Sequence, residues 1–403
     1  MSWKLPPPIS DLLATRRRLG RVAVVAGSLL VATAMVSAVT VTGRAEARPP
    51  SPAASVSVAL PANPPVSAGS LLVTLPWGDG PGQVGLQRPS EGLSRGPEAL
   101  AVAPDGLVAL LDSVNHRIML LSSAGEPLLT IHVNVPEPRF LAVDAQRIYA
   151  LDCDSAHRVL GWDRTGGLVL DRSVTLPADQ PVTALIARDG GVFVETGHER
   201  VYPLAELVPR NRPTAVTGEL GGATLAAAAA PGAGGAATTA DTDLPALDPA
   251  TPSLAGRPNS GPNQHLVQAR MTRGDRPRIH LLAPDGKPAS GAPQEISLDI
   301  PQTVEHLVSV DETPRLNGTD LLVGARLLGR SDDRAGDEPS LLVARIPGDG
   351  STRLAQALLL KESDFAYVGQ PYVAAPDGRI YQPLPTPAGY SILVHTLPEG
   401  GAK

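Results

Sequence analysis

Three histidines recur in register along this chain: His116, His157 and His198, each 41 residues after the last. Imidazole is the commonest side-chain metal ligand, and three converging imidazoles make an open zinc-type site. Three carboxylates, Glu98, Glu137 and Asp179, stand ahead of the same three segments. Oxygens of that kind would serve a hard cation, provided several converge on one point. The spacing argues against convergence. Equal steps of 41 residues put the histidines at equivalent points of successive structural units, and radial repetition holds such points apart. They are read as exposed turn residues, with metal ligation as the alternative.

The residues around them have structural readings too. Asp112 and Asp152 precede the histidine turns, where a short carboxylate bonds turn amides. Arg117, Arg158 and Arg200 follow, and are expected to pair with carboxylates of the same or the next unit. The single cysteine, Cys153, excludes an intramolecular disulfide and a cysteine-based zinc site. It occupies a turn position, as a structural thiol with nothing nearby to activate it. Gly78, Gly80 and Gly82 suggest a phosphate cradle, but no helix-forming segment follows, and such a cradle needs a helix N-terminus behind it. Neither a G-x-S-x-G elbow nor an H-E-x-x-H helix occurs. Asn317-Gly318-Thr319 matches a glycosylation sequon, a short pattern discounted in a composition that looks bacterial. No cofactor is expected.

The elements that position these residues repeat. Gly96–Ile131 returns in altered form as Pro138–Leu170, and a weaker copy runs from Pro181 to Leu204. Leu100-Ala101-Val102 maps onto Leu141-Ala142-Val143, and His116-Arg117-Ile118 onto His157-Arg158-Val159. Each copy parses into short apolar strands. In the first, Ala99–Ala103, Leu107–Asp112, Arg117–Ser122 and Pro127–Ile131 are strands. Pro104-Asp105-Gly106 is a turn in which glycine supplies positive φ. The Pro-Asp-Gly turn recurs at Asp285-Gly286 and Asp377-Gly378. Continuous apolar runs mark strands packed on both faces. A repeat of about 40–45 residues built of short strands is a β-propeller blade signature.

Pro97, Leu100-Ala101-Val102, Pro104-Asp105-Gly106, Asp112 and Asn115-His116-Arg117-Ile118 together resemble the NHL-repeat family of β-propellers. Gly80-Pro81-Gly82-Gln83-Val84 also looks like that family's lead-in segment. The match covers about 80 residues. The second copy departs from it at Ala145-Gln146 and Ser155. The third keeps Asp189-Gly190 but shortens the middle turn to Thr196-Gly197-His198. The resemblance implies an architecture and brings no site with it.

Beyond the three copies, strands are expected over 265–271, 278–283 and 295–300 as a fourth blade. A fifth is expected over 304–310, 320–328, 340–346 and 355–360. Three strands of a sixth fall at 372–375, 379–384 and 391–397. That blade lacks a fourth strand, and Leu71–Leu75 lacks a blade, so pairing the two closes the ring and removes an exposed edge. The fold class is thus all-β: a single propeller over 71–400, of six four-stranded blades, with five or seven as alternatives. An Ala/Gly-rich insertion at about 214–263 is expected to be disordered, because it buries too little apolar surface to offset ordering entropy.

Upstream lie a basic leader (1–21), an uncharged run (22–43) and a Pro/Ala-rich spacer (44–70) expected to be disordered. The run is long enough to cross a bilayer as one transmembrane helix. Its arginine flank, Arg16–Arg18 and Arg21, predicts a cytoplasmic N-terminus. The body then lies in the periplasm or outside, anchored in a bacterial inner membrane by a single pass. Cleavage near Ala47 and export is the alternative. Residues 1–48 carry a net charge of +5 against −6 for the whole chain, leaving −11 on the rest. An acidic body with 3% aromatics argues against nucleic-acid binding. The expected function is a membrane-tethered interaction or scaffolding module with an envelope protein as partner. The alternative is a propeller-fold envelope hydrolase or lyase with a metal ion in its axial channel.

Overall fold

The computed structural model describes residues 55–153, 157–176, 180–207 (save 189 and 199), 253–254, 257–258, 266–271, 276–283, 287, 289, 293, 295–315, 318–327, 341–347 and 355–397. The leader and the apolar run 22–43 lie outside them. Among the described residues no helix is long and apolar enough to cross a membrane.

Two strands, β1 (Val56–Ala59) and β2 (Ser70–Leu75), open the described chain, and a short β3 (Ser94–Arg95) follows. Blade one comprises β4 (Ala99–Val102), β5 (Val108–Asp112), β6 (Arg117–Leu121) and β7 (Pro127–His132). Blade two comprises β8 (Pro138–Val143), β9 (Arg147–Asp152), β10 (Arg158–Asp163) and β11 (Leu168–Ser173). Blade three has β12 (Val182–Arg188), β13 (Gly191–Thr196) and β14 (Arg200–Pro203), then a single helical turn, α1 (Leu204–Leu207). Blade four has β15 (Arg257–Pro258), β16 (Leu266–Arg270), β17 (Arg278–Leu282) and β18 (Ile296–Asp299). Blade five has β19 (Val304–Arg315), β20 (Gly318–Leu327), β21 (Leu341–Pro347) and β22 (Gln356–Leu360). After β23 (Ala366–Tyr367), blade six has β24 (Val373–Ala374), β25 (Ile380–Thr386) and β26 (Gly389–His395). Within each blade these consecutive strands form an antiparallel meander running outward from the axis. The molecule is a six-bladed β-propeller.

Alternation within each strand explains the continuous apolar runs. Ala99 and Ala101 of β4, Ala109 and Leu111 of β5, and Ile118 and Leu120 of β6 face blade two. Their neighbours Leu100, Val102, Val108, Leu110, Met119 and Leu121 face blade six. Both faces of the sheet are core, so these strand interiors are apolar on either side.

Ring closure follows the expected pairing. β2 lies antiparallel to β26, with Leu75 opposite Tyr390, and becomes the outer strand of blade six. First and last strands are thus hydrogen-bonded, and the ring has no open seam there.

Two expectations need correction. The spacer 44–70 was expected to be disordered, but its described part, from Ser55, is built into the ring. β1 adds in parallel to β18 as a fifth, outermost strand of blade four. Val58 and Leu60 are buried there. The chain then bonds blade five through the amide of Ser67 and the carbonyl of Leu359, before entering blade six. Prolines limit this strap to short ladders, yet its alternating Val56 and Val58 supply an apolar face for blade four to cover. His395 buckles it down: Nδ1 meets the Ser67 hydroxyl at 2.8 Å and Nε2 the Gln382 amide oxygen at 3.0 Å. Gly69 passes over the ring at φ +67°, where a Cβ would lie 2.7 Å from the imidazole. Burial holds the His395 imidazolium below the usual histidine range.

The second correction concerns the insertion at about 214–263. Leu254 bridges to Val201 of blade three, and Arg257–Pro258 form β15, the innermost strand of blade four. The rest of the insertion lies outside the described residues. Blade four is therefore built partly from segments read as spacer and as insertion.

Candidate functional site: the axial channel and its mouth

Inner strands converge on the axis. Leu100–Val102, Leu141–Val143, Ala184–Arg188, Arg257–Pro258 with Val267, Val310, and Val373–Ala374 with Gln370 line a channel cavity of about 120 Å³. All six blades contribute. A larger cavity of about 380 Å³ shares Val102, Val143, Ala187 and Arg188 with the channel. It adds Pro104, Asp144, Ala145, Gln146, Gly190 and Pro376. These belong to the first turns of blades one, two, three and six, so this cavity is the channel's mouth on that face.

The turns hold the mouth open through a repeated device. Gly106 and Gly378 take φ of +84° and +82°, and their amides bond the carbonyls of Ala103 and Ala375. Asp105 and Asp377 accept the amides of Leu107 and Arg379. In blade two, where the glycine is missing, Asp144 accepts the amides of Gln146 and Arg147, both at 2.7 Å. Its other oxygen takes the Tyr149 hydroxyl at 3.2 Å. Burial, with Asp144 nearby, pushes the Tyr149 phenol up, so it stays a donor. Asp285 and Gly286 lie outside the described residues.

Two arginines and one amide, Arg188, Arg257 and Gln370, are the polar side chains of the channel lining. Arg257 is fully engaged. Its Nε and a terminal nitrogen grip both oxygens of Glu195 at 2.7 and 2.8 Å. Thr183 donates to the same carboxylate at 2.8 Å. Burial disfavours the charge of Glu195, but Arg257, His198 and Thr183 outweigh it and hold its carboxyl well below the usual range. Arg188 differs: it is half-buried and makes no ion pair or hydrogen bond with any described residue.

The residues singled out in the sequence lie elsewhere. His116 and His198 are exposed turn residues in the left-handed region, at φ 50° and 58°. The carbonyls of His116 and His157 accept the amides of Val133 and Val174 at equivalent places. Their register thus records a repeated backbone turn. No group of three or more His, Cys, Asp or Glu able to hold a metal ion forms among the described residues. Glu98 pairs with Arg95 and Glu137 with Arg139, and neither lines the channel. Asp179 is outside the described residues. Burial pushes the Cys153 thiol up to about 12, against the opposing charge of Arg139, which makes it inert.

Asp112, Asn115 and Arg117 do more than stabilise a turn. Asp112, fully buried, accepts the Gly85 amide at 3.0 Å, the Asn115 side chain at 2.8 Å and Arg117 Nε at 2.9 Å. Arg117 also donates to the carbonyls of Asp79 and Gln83, both at 2.8 Å, and Asn115 to that of Gly78 at 2.9 Å. The glycine-rich loop 78–85 therefore turns its carbonyls inward onto the motif, the opposite of a phosphate cradle. Asp152 accepts the amide of Glu137. Arg158 pairs with Asp171 of its own blade, as expected. Arg200 is exposed and makes no ion pair among the described residues. It follows a shortened turn in which Thr196 replaces the aspartate.

Sequence reasoning passed over Arg188 and Arg257. A signal for Arg188 existed. Pro104 and Pro376 precede the Asp-Gly first turns of blades one and six, whereas Arg188 precedes Asp189-Gly190. Arg257 had none, because it lies in the low-complexity insertion.

No protein-family model matches the sequence, and no curated protein matches it. Among solved structures it is similar to the hydrazine synthase of Kuenenia stuttgartiensis, at 14% identity over 73% of this chain and 75% of that one, TM-score 0.40. A streptogramin B lyase matches at 12% identity over 77% and 97%, TM-score 0.37. U3-55K matches at 12% over 74% and 80%, TM-score 0.35. At such scores none of them bears on this chain's function. The propeller is read from its own strand order.

Proposed function

We propose that this chain is a membrane-tethered, non-cytoplasmic propeller that binds a protein partner of the cell envelope at the channel mouth. The NHL-type assignment, the bacterial inner-membrane anchor at residues 22–43 and the scaffolding role belong to this proposal. One observation carries it: the mouth is a concave, largely apolar cup framed by the turns of four blades. Turns on a rigid scaffold are where recognition usually resides. The donor chemistry supports it further. A hydrolase or lyase with an axial metal would need several convergent oxygens or imidazoles. The channel lining offers guanidinium groups and one amide instead.

Site-specific photocrosslinking in the native membrane tests the reading. A crosslinker replacing Gln146, at the mouth, is compared with one replacing Leu168, on the outer edge of blade two. The expected result is a discrete protein adduct from position 146 and none from position 168. Identical adducts from both positions, or a metal-dependent turnover of envelope material by the purified chain, would overturn it.

A further inference from the structure

We infer that Arg188 makes the channel mouth a receptor for a carboxylate borne on a compact apolar body. The inference rests on the interaction reading above and names what the mouth would recognise.

Three observations converge. First, Arg188 stands where channel and mouth join, since it lines both cavities. Among the described residues it is the one cationic side chain of the mouth lining, and it has no partner. Every other charge nearby is committed. Asp144 spends its oxygens on two amides and a phenol, and Arg257 is held by Glu195. Second, the surrounding walls are Val102, Val143, Ala187, Pro104 and Pro376. Apolar walls lower the local polarity and strengthen a guanidinium–carboxylate contact. A guanidinium binds a carboxylate through two parallel hydrogen bonds, a geometry that lysine lacks. Third, an arginine stands where Pro104 and Pro376 precede the equivalent Asp-Gly turns of blades one and six. The turn does not need this change, because Gly190 supplies its positive φ of 78°.

Size sets the class of ligand. A cavity of about 380 Å³ lies at the small end of ligand sites. It suits the last residue or two of a polypeptide, or a small free acid, with the apolar body toward Val102 and Val143. Both sources share one chemistry, a carboxylate ending a short apolar group. The nearby charge of Asp144 disfavours dianions such as phosphate monoesters.

The test uses the full-length chain in nanodiscs with three probes. These are acetyl-Ala-Ala-Leu with a free carboxylate, the same peptide as its C-terminal amide, and hexanoate. Binding is followed by isothermal titration. The free acid peptide is expected to saturate, with the amide at least tenfold weaker. Arg188→Gln should weaken the acid at least tenfold and leave the amide unchanged, while Arg188→Lys restores part of the loss. Unchanged thermal unfolding of both variants separates lost recognition from lost fold. Peptide binding tighter than hexanoate assigns the site to a chain terminus, and the reverse assigns it to a free acid; either supports the inference. Equal binding of acid and amide, indifference to Arg188→Gln, or no saturable binding of any carboxylate overturns it. Adducts at position 146 without carboxylate binding would sink this inference alone and leave the interaction reading standing.

Discussion

Blade one and blade three each bury a carboxylate in the grip of an arginine, but they reach for that arginine differently. In blade one, Asp112 meets Arg117 five residues away, and together they hold the loop 78–85 that leads into the blade. In blade three, Glu195 meets Arg257, 62 residues away across the insertion. Both pairs pin a connection against the sheet. The first draws on residues next to each other in a hairpin, so it is a property of the repeat. The second recruits whatever the returning chain brings, so it is a property of this molecule. When a blade loses its local motif, the need to anchor the inter-blade connection remains, and a distant residue meets it.

The largest effect is expected from Asp112→Ala. It leaves Arg117, only 8% exposed, without its carboxylate and frees the Gly85 amide. Loss of one partner of a buried pair costs about 3–5 kcal/mol. Urea unfolding of the purified chain measures it, and a loss near that of a surface pair would mean that loop 78–85 is held by its backbone alone.

Glu195→Gln should cost less, about 1.5–3 kcal/mol, the scale of hydrogen bonds to a charged group, because the amide keeps the shape and part of the bonding. Here pH sharpens the contrast. The folded carboxyl of Glu195 lies below its ordinary value. Its stabilisation is therefore complete above the unfolded glutamate value of about 4.3 and disappears as pH falls through the folded one. Wild type and Glu195→Gln should accordingly converge in stability under acid. A gap that stays constant from neutral pH to strong acid would show that the charge of Glu195 contributes nothing.

The smallest effect belongs to Arg158→Ala. Its pair with Asp171 is partly exposed on both sides, at 36% and 41%. Such pairs are worth about 0.2–1 kcal/mol and weaken with salt. A larger, salt-insensitive loss would mean that blade two has an anchor equivalent to blade one's.

The legible parts of this molecule are those whose physics is local. Alternating burial on both faces of short strands produces the apolar runs at 99–103 and 141–143. Positive φ at Gly106 and Gly378 produces the Asp-Gly turns. A strand without a blade and a blade without a strand called for each other, and β2 pairs with β26. The histidine register follows a backbone contact shared by His116 and His157, whose carbonyls accept the amides of Val133 and Val174.

What failed to show was decided at a distance. Val56–Ala59 looks like spacer because its ordering depends on the edge of β18, some 240 residues later. Arg257 looks like filler because only the closed ring sets it against Glu195. Arg188 reads as one more strand-end charge until six inner strands enclose it. The blade was legible in the chain alone, since strand periodicity and turn chemistry act over a few residues. Which segments complete each blade, and which charge at the axis meets no partner among the described residues, was settled by the closed ring, because partnership and burial are properties of the whole fold.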